Sequence, residues 1–501
     1  MLFNSLDFAF FFPLVVALYF FTPQRRRWIL LLAASYYFYA SWKLEYLVLI
    51  LASTGVDYFA GLRMGRLDTR EKRRPYLILS LLVNLGILFS FKYFNFFSDS
   101  VQDVFNQFNV FVDTPVFDVL LPVGISFYTF QTLSYSIEVY RGKQEAEKHL
   151  GIFALYVSFF PQLVAGPIER SGNLLPQFRK HHTFDYGRVV TGLQQMGWGF
   201  FKKIVIADRL AVYVDQVYGN PDMYAGATVL LATYLFAFQI YCDFSGYSDI
   251  AIGAARVLGY DLMENFRRPY FATSIPEFWR RWHISLSTWF RDYVYIPLGG
   301  NRVVKWRWYY NLIIVFLVSG LWHGAAWTFV IWGGLHGAYM IASVTTANLR
   351  NAAWERIDEI INPLREEAVR AAGFTSRLTT GRIRIALSVI ATFHLVLLGW
   401  VFFRAASFSE ALLLIRNAFT FSSGAPPFWA ASSLGMYELA IGFAAIAAML
   451  VVHILEERGD DIYSRISNLP RWMRWSTYYA GILVIVLFGE FSLQEFIYFQ
   501  I

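Results

Sequence analysis

Three short blocks in the second half of the chain concentrate side chains that could do chemistry. They cover residues 278–292, 320–327 and 332–337, and they hold three of the eight histidines, three arginines and six tryptophans. Imidazoles accept and return protons, and guanidinium groups bind anions through forked donors. Ionisable groups are costly at membrane depth, and the surrounding chain is apolar. We therefore interpret the three blocks as parts of one functional site.

His323 is the strongest candidate for proton transfer. It lies between Trp322 and Gly324, just after the apolar run 312–318. A histidine buried there is expected to be uncharged, because removal from water disfavours the imidazolium. An uncharged imidazole in a dry site is a competent general base for an incoming hydroxyl. By residue type alone, a hydrogen-bonded structural histidine is an equally good interpretation.

His283 has a different setting, because it lies within a group of arginines. This favours a polar anchor, or a contact to an anionic group, over a base. The arginines stay protonated and match phosphate geometry, so they are candidate contacts to a phosphate-bearing substrate. Trp322 joins this set of candidates. The arginines are Arg280, Arg281 and Arg291. For His336, on a later apolar stretch, helix packing or a hydrogen bond is the favoured interpretation.

The sequence offers little support for other catalytic devices. The pattern HExxH is absent and no carboxylate lies near His323 in the sequence, so no metal site is expected. The single cysteine, Cys242, excludes an internal disulfide and a thiolate-rich metal site. Gly-x-Ser-x-Gly and a glycine-rich phosphate loop are absent as well. No bound cofactor is expected.

The composition places these residues in a membrane protein. Of the 501 residues, 56% are hydrophobic and only 16% are charged, and the mean hydropathy is +0.41. A soluble domain carries about 25% charged residues, and apolar runs of about 20 residues indicate membrane spans. The net charge of +7 is expected in cytoplasmic loops and is poor support for nucleic-acid binding. The predicted fold is an all-α polytopic membrane protein.

Apolar runs predict the spans, and basic loops orient them. The basic loops 25–27, 63–74 and 456–474 are predicted to be cytoplasmic, which puts both termini and the acidic segment 98–120 outside. The charge-rich, amphipathic segment 346–384 predicts a cytoplasmic helical excursion. We expect residues 1–501 to form a single membrane-embedded domain. Spans are predicted at about 8–21, 28–39, 46–62, 76–97, 385–402, 437–452 and 478–488, with a long helix at 228–258.

Two further features interrupt the apolar pattern. The runs 121–131 and 159–170 contain proline, glycine and hydroxyl residues, which fits either a kinked helix or a turn that lines a cavity. The helix at 228–258 carries Asp243, Ser245 and Tyr247, and Asp243 shares a helix face with Tyr247. A hydrogen-bonded patch between helices is the favoured interpretation there, and Asp243 and Ser245 as substrate contacts are the alternative.

These residues resemble those of the bacterial membrane-bound O-acyltransferases, most closely the branch that O-acetylates alginate and other exopolysaccharides. The Trp-Arg-Arg-Trp-His and Leu-Trp-His-Gly blocks are the most specific part of this resemblance. Teichoic acid D-alanyl transfer proteins are similar in the same central blocks. The matching blocks extend across most of the chain: 121–131, 135–142, 160–170, 243–253, 264–270, 278–292, 299–302, 320–327, 332–337 and 399–405.

The resemblance implies a multi-helix ring around a funnel or tunnel in the bacterial inner membrane. His323 matches the family's essential histidine, and His283 matches the second functional histidine of this branch. The family takes an acyl group from a cytoplasmic thioester, here expected to be acetyl-CoA or an acyl-carrier thioester, and delivers it to a hydroxyl. In this branch the acyl group crosses the membrane, so the implied partners are membrane lipid, periplasmic acylation proteins and exopolysaccharide machinery.

The carboxy-terminal segment 494–501 is expected to be an extracytoplasmic tail. Residues 496–500, Phe-Ile-Tyr-Phe-Gln, resemble the aromatic tail motif of this system, in which a tyrosine carries the acyl group. By this resemblance Tyr498 is a candidate acyl carrier. An aromatic belt at the membrane interface is the alternative, because Tyr and Phe are frequent at span ends. This chain ends in Ile501, where an aromatic residue is commoner.

Two rival functions share some of these features. A transporter or flippase for a lipid-linked sugar would also have broken helices and many spans, but no bond chemistry. A eukaryotic-type protein or lipid acyltransferase would share the histidine but not the Trp-Arg-Arg-Trp-His block. Consumption of a thioester by the purified protein separates the first rival from an acyltransferase.

Overall fold

The computed structural model describes residues 1–110, 122–372, 380–420, 435–491 and 496–497. The side chains of these residues are described as well, except those of 361–372 and 380. Within these ranges the regular structure is helical and no strand occurs, which confirms the all-α prediction. In the part of the chain that the structure describes, five helices are long and apolar enough to cross a membrane, as a polytopic membrane protein requires. These are Tyr46–Gly65, Arg70–Gln107, Ala227–Leu258, Gly381–Arg404 and Gly435–Glu457.

The α-helices in chain order are α1 (Leu6–Phe21), α2 (Gln24–Ala40), α3 (Tyr46–Gly65), α4 (Arg70–Leu88), α5 (Phe94–Gln107), α6 (Ile125–Arg141), α7 (Leu150–Ser158), α8 (Ser171–Gln177), α9 (Tyr186–Phe200), α10 (Asp208–Tyr218), α11 (Ala227–Leu258), α12 (Ile275–Arg281), α13 (Ile284–Phe290), α14 (Lys305–His323), α15 (Trp327–Thr345), α16 (Ala347–Ala372), α17 (Thr380–Arg404), α18 (Phe408–Ala418), α19 (Gly435–Glu457), α20 (Ile462–Ser467) and α21 (Arg471–Phe488). Three π-helical turns, Phe89–Tyr93, Phe201–Ala207 and Arg291–Tyr295, continue α4, α9 and α13.

The chain folds into two compact units. The first consists of Met1–Gln216, Phe238–Glu264 and Phe428–Ile501, and the second consists of Val217–Ala237 and Asn265–Pro427. Helix α11 contributes residues to both. The three blocks that concentrate histidine and tryptophan all belong to the second unit.

The helix that begins at Arg70 extends beyond the span that hydropathy predicts. The apolar run that predicts a span at 76–97 continues as helix through the π-helical turn Phe89–Tyr93 to Gln107. Hydropathy marks the part of a helix that suits lipid, whereas the backbone hydrogen bonds continue into the polar residues that follow. Residues 98–107 are therefore helical beyond the end of the predicted span.

The first unit encloses irregular backbone where the sequence predicts a broken helix. Residues 159–170 form a buried, non-helical connection between α7 and α8. Gln131 on α6 supports it, because its Nε2 donates to the carbonyl of Tyr156 at 2.6 Å and its Oε1 accepts from Nε2 of Gln162 at 2.7 Å. Of the two expected arrangements, this one is a turn and not a kinked helix. A side chain also pairs with the backbone here, since the N–H of Phe160 donates to Oγ of Ser35 at 3.0 Å, as apolar surroundings require.

The second unit is built on the close pair α14 and α15. Glycines let the two helices approach, since a Cβ added at Gly320 would lie 2.2 Å from the Phe329 carbonyl oxygen. One added at Gly333 would lie 2.2 Å from the Phe316 carbonyl oxygen. Small residues at such a crossing allow backbone-to-backbone contact. This contact fixes the end of α14, where His323 lies.

Candidate functional site

His323 is the last residue of α14, and Gly324 continues in extended conformation. The side chain is buried, with 2% of the residue exposed. Aromatic rings enclose it, with centroids 4.9 Å away for Trp332, 5.0 Å for Trp322 and 5.4 Å for Phe403. Helix α14 thus holds an imidazole in an enclosure that excludes bulk water.

His283 lies beside His323 in the same unit. The centroids of the two imidazole rings are 6.4 Å apart, and the ring of Trp322 lies 5.9 Å from that of His283. His283 is fully buried. Residues separated by forty positions in the sequence therefore share one aromatic enclosure. The structure brings together the two histidines that the sequence singles out, with Trp322 against both.

A short strained turn positions His283. Helix α12 ends at Arg281, and His283 has φ +43° and ψ 55°, the left-handed conformation that non-glycine residues adopt reluctantly. Two backbone hydrogen bonds hold this turn. The N–H of Arg267 donates to the Arg281 carbonyl at 2.8 Å, and the N–H of Ile284 donates to the Asn265 carbonyl at 2.9 Å. Such conformations persist where the surroundings over-determine them.

Asn265 is a site residue that the sequence did not reveal. It is fully buried, and its Oδ1 lies 3.1 Å from Nδ1 of His283. The two residues are eighteen positions apart, and the chain between them includes irregular backbone as well as α12, so no single helical or strand period links them. The one available signal was a lone amide in the matching block 264–270.

The arginines of the first block lie nearer the surface than the histidines. Arg280 and Arg291 are exposed, and Nε of Arg291 pairs with Asp292 at 2.8 Å. Arg281 is half-buried and pairs with Glu277 at 2.7 Å. These groups lie where an anionic substrate could reach them.

Glu277 ties the start of α12 to its end. Its backbone N–H donates to the N-cap hydroxyl of Ser274, and its carboxylate accepts from the N–H and hydroxyl of Thr273 at 2.8 and 2.6 Å. This reciprocal capping defines where α12 begins. Partial burial opposes ionisation, but the hydrogen bonds from Thr273 and Arg281 outweigh it and hold the pKa of Glu277 below its ordinary value.

His336 on α15 lies in an aromatic cage that shares Trp332 with the enclosure of His323. It is fully buried, and the ring centroids of Trp332, Trp279 and Tyr339 lie 4.9, 5.0 and 5.6 Å from its own. A Cβ added at Gly399 on α17 would lie 2.9 Å from its Nε2. This dense packing agrees with the interpretation of His336 as a packing residue.

Asp243 and Ser245 lie in the first unit, where each contacts a buried lysine. Asp243 Oδ1 lies 2.6 Å from Nζ of Lys203, which also pairs with Asp208 at 2.7 Å. Ser245 Oγ lies 3.0 Å from Nζ of Lys202. The lysines belong to the π-helical turn Phe201–Ala207, so the predicted hydrogen-bonded patch between helices is confirmed. A role for Asp243 or Ser245 in substrate binding stays a prediction.

Asp243 also holds the carboxy-terminal segment. The N–H of Ile497 donates to Asp243 Oδ2 at 2.7 Å. Phe496 is buried, with its ring 5.6 Å from that of Phe244 and 5.1 Å from that of Tyr247. These two tail residues are thus packed within the first unit. The candidate carrier Tyr498 lies outside the described residues.

Comparison with known proteins bears on this site. The model of the membrane-bound O-acyltransferase family, MBOAT, matches residues 42–365. The chain is 40% identical over 459 residues to the "probable alginate O-acetylase AlgI" of Azotobacter vinelandii, covering 91% of this chain and 84% of that protein. It is 37% identical over 530 residues to the protein of the same name from Pseudomonas putida, covering all of both chains. The peptidoglycan O-acetyltransferase of Helicobacter pylori is 35% identical over 405 residues, with 76% and 71% covered.

Proposed function

This chain belongs to the membrane-bound O-acyltransferase family and is an O-acyltransferase, and from that premise we propose that it acetylates an exported polysaccharide such as alginate. The relatives named for alginate and peptidoglycan O-acetylation support this substrate class. The observation that carries the proposal is the pair of buried imidazoles, 6.4 Å apart, inside one aromatic enclosure.

We propose that His323 is the general base. A ring nitrogen takes the proton of the attacking hydroxyl as its oxygen bonds to the thioester carbonyl carbon. The tetrahedral intermediate then collapses, the carbon–sulfur bond breaks, and the proton passes to the departing thiolate. His323 ends α14, and the negative end of a helix dipole favours the imidazolium that forms during the reaction. The aromatic enclosure strengthens this interaction by excluding water.

The acyl donor in this proposal is acetyl-CoA or an acyl-carrier thioester from the cytoplasm. Both carry phosphate, and the exposed Arg280 and Arg291 are the proposed phosphate contacts. The acyl group leaves on the periplasmic side of the bacterial inner membrane, where acylation proteins of the exopolysaccharide machinery receive it. We place both chain termini on that side, by the positive-inside rule.

Tyr498 is the proposed transient carrier of the acyl group. Its phenolic oxygen attacks the thioester, and a second hydroxyl later attacks the tyrosyl ester and displaces the phenolate, which is a good leaving group. Support comes from the preceding residue, because the hydrogen bond from Ile497 to Asp243 ties the chain to a buried point one residue before Tyr498. Full activity in Tyr498→Phe would remove the carrier from the mechanism.

The function is tested by His323→Ala in the polysaccharide-producing host. Polymer acetylation should disappear while the amount of protein in the membrane stays unchanged. His394→Ala is a matched control, because His394 lies exposed on α17 and should retain acetylation. The purified protein should also release thiol from an acetyl thioester in the presence of a hydroxyl acceptor. Normal acetylation in His323→Ala would refute the base, and no thioester consumption would favour a transporter.

A further inference from the structure

The oxygen of the Asn265 side chain faces three polar groups. It lies 3.3 Å from the backbone nitrogen of Ser285, 2.9 Å from Oγ of Ser285 and 3.1 Å from Nδ1 of His283. All three residues are fully buried. Buried polar groups pair with complementary partners, so the identity of one partner constrains the next.

The backbone of Ser285 fixes which end of the amide faces this cluster. A backbone N–H can only donate, so the group it meets at 3.3 Å is the amide oxygen and not the amide nitrogen. The hydroxyl of Ser285 donates to the same oxygen at the shorter distance of 2.9 Å. The orientation of Asn265 is therefore set by the hydrogen-bond network.

The oxygen in turn fixes the tautomer of His283. An acceptor 3.1 Å from Nδ1 is favourable only when Nδ1 carries a hydrogen. Oγ of Ser285 does not offer a competing hydrogen, because it lies farther from Nδ1, at 3.4 Å, and donates to Asn265. A neutral imidazole carries one hydrogen, so Nε2 then has a lone pair. Burial disfavours the doubly protonated ring.

We propose that Asn265 is a positioning residue that fixes His283 as the Nδ1–H tautomer, so that Nε2 of His283 accepts a hydrogen bond from the substrate. A second histidine near an acyl-transfer site could act in two opposite ways: a hydrogen-bond donor would stabilise the oxyanion, whereas an acceptor orients an O–H or N–H of the substrate. Neutral His283 is the acceptor. This inference rests on the proposed function only for the nature of the substrate.

The same amide also holds the turn that carries His283. Its backbone carbonyl accepts from Ile284, while its side chain binds the residues on either side of Ile284 in the sequence. One residue therefore controls both the left-handed backbone and the ring of His283. In a catalytic triad, too, a third side chain accepts a hydrogen bond from the imidazole and thereby fixes its tautomer and orientation. Asn265 has this role towards His283.

Nuclear magnetic resonance tests the tautomer directly. Protein labelled with ¹³C,¹⁵N-histidine and reconstituted in lipid gives a His283 signal, which is assigned by its loss in His283→Gln. The wild type should show the Nδ1–H form, and Asn265→Ala should show the Nε2–H form or a mixture. Asn311→Ala is the control, because Asn311 is also a buried amide of the second unit and its side chain donates to the carbonyls of Leu298 and Gly300. It should leave the His283 signal unchanged.

Activity measurements complete the test. Asn265→Ala should lose at least about 10²-fold in kcat, since a catalytic histidine in the wrong tautomer loses up to about 10⁴-fold. Asn265→Asp keeps the acceptor oxygen and should restore part of this loss. Its carboxylate favours the imidazolium, which converts Nε2 to a donor, so the acid limb of the pH profile should move to higher pH.

The outcomes separate this inference from the proposed function. An Nε2–H signal in the wild type, or an unchanged signal in Asn265→Ala, would overturn the role of Asn265. Neither result depends on polysaccharide acetylation. Conversely, if the protein did not acetylate the proposed polymer, the result of the tautomer measurement would still stand.

Discussion

The crossing of α14 and α15 makes a quantitative prediction for Gly333→Ala. The added Cβ would lie 2.2 Å from the Phe316 carbonyl oxygen, whereas ordinary contact begins at 3.4 Å. The three atoms nearest to this Cβ belong to the backbone of Phe316 and Gly320, which cannot rotate away as a flexible side chain can. Helix α15 must therefore move away from α14 by about 1 Å, a change typical of overpacked interiors.

This movement should affect the surroundings of His323 through Trp332. The neighbour of Gly333 packs its ring 4.9 Å from that of His323, so a shift of α15 changes one wall of the enclosure. A misplacement of about 1 Å can reduce a rate by about 10²-fold. Overpacking also costs about 1–3 kcal/mol of stability. We expect a rate per folded molecule about 10²-fold below wild type, together with a lower unfolding temperature.

The assay is acetyl transfer from a thioester by purified protein, normalised to folded monodisperse protein. Gly334→Ala is the matched control, since it lies on the same helix and its added Cβ would be at an ordinary 3.7 Å from Leu317 Cδ2. It should stay within about threefold of wild type, as substitutions without a clash usually do. A wild-type rate in Gly333→Ala, or an equal loss in both variants, would refute the argument that this crossing positions the site.

Two further predictions concern the tail and α12. Asp243→Ala removes the acceptor for the N–H of Ile497 and one partner of Lys203, so a carboxy-terminal tag should become more sensitive to protease and acetylation should fall; unchanged protection would contradict a buried anchor. Glu277 has a lowered pKa in the folded state, so its stabilisation is present at neutral pH and is lost as pH falls through that value. Glu277→Gln should lower the unfolding temperature at pH 7, and the unfolding temperature of this variant should fall less than that of the wild type as the pH is lowered. If the two unfolding temperatures fell in parallel with pH, the capping role of Glu277 would be contradicted.

Local patterns predicted much of the fold because membrane helices are encoded locally. Apolar runs found helices α1 to α4, α17, α19 and α21, since lipid demands long apolar segments whatever their neighbours. The continuation of the helix to the end of α5 was not predicted, because hydropathy does not detect a helix that continues into polar sequence. The crossing of α14 and α15 was also missed, because Gly320 and Gly333 gain meaning only when their helices face each other.

The candidate site was predictable in its histidines but not in what holds them. His323 and His283 stand out by type, since ionisable groups are rare in apolar sequence. Asn265 is an ordinary amide in an irregular segment, and its role comes from a fold that brings it to Nδ1 of His283. Asp243 shows the converse case. Its type predicted importance, whereas its ion pair with Lys203 and its bond to Ile497 could not be read from spacing.

Different structural features hold the two histidines in place, and those that hold His323 are the stronger. His323 ends a regular helix whose backbone hydrogen bonds and glycine crossing fix it without strain. His283 has a left-handed backbone that costs about 1–2 kcal/mol for a residue with a Cβ, and the bonds from Asn265 and Arg267 must offset this. Substitutions outside the enclosure should therefore disturb His283 before His323. Asn265→Ala removes the side-chain contacts to His283 and Ser285 together, although its backbone carbonyl still accepts from Ile284. Its effect should therefore exceed that of losing either side-chain contact alone.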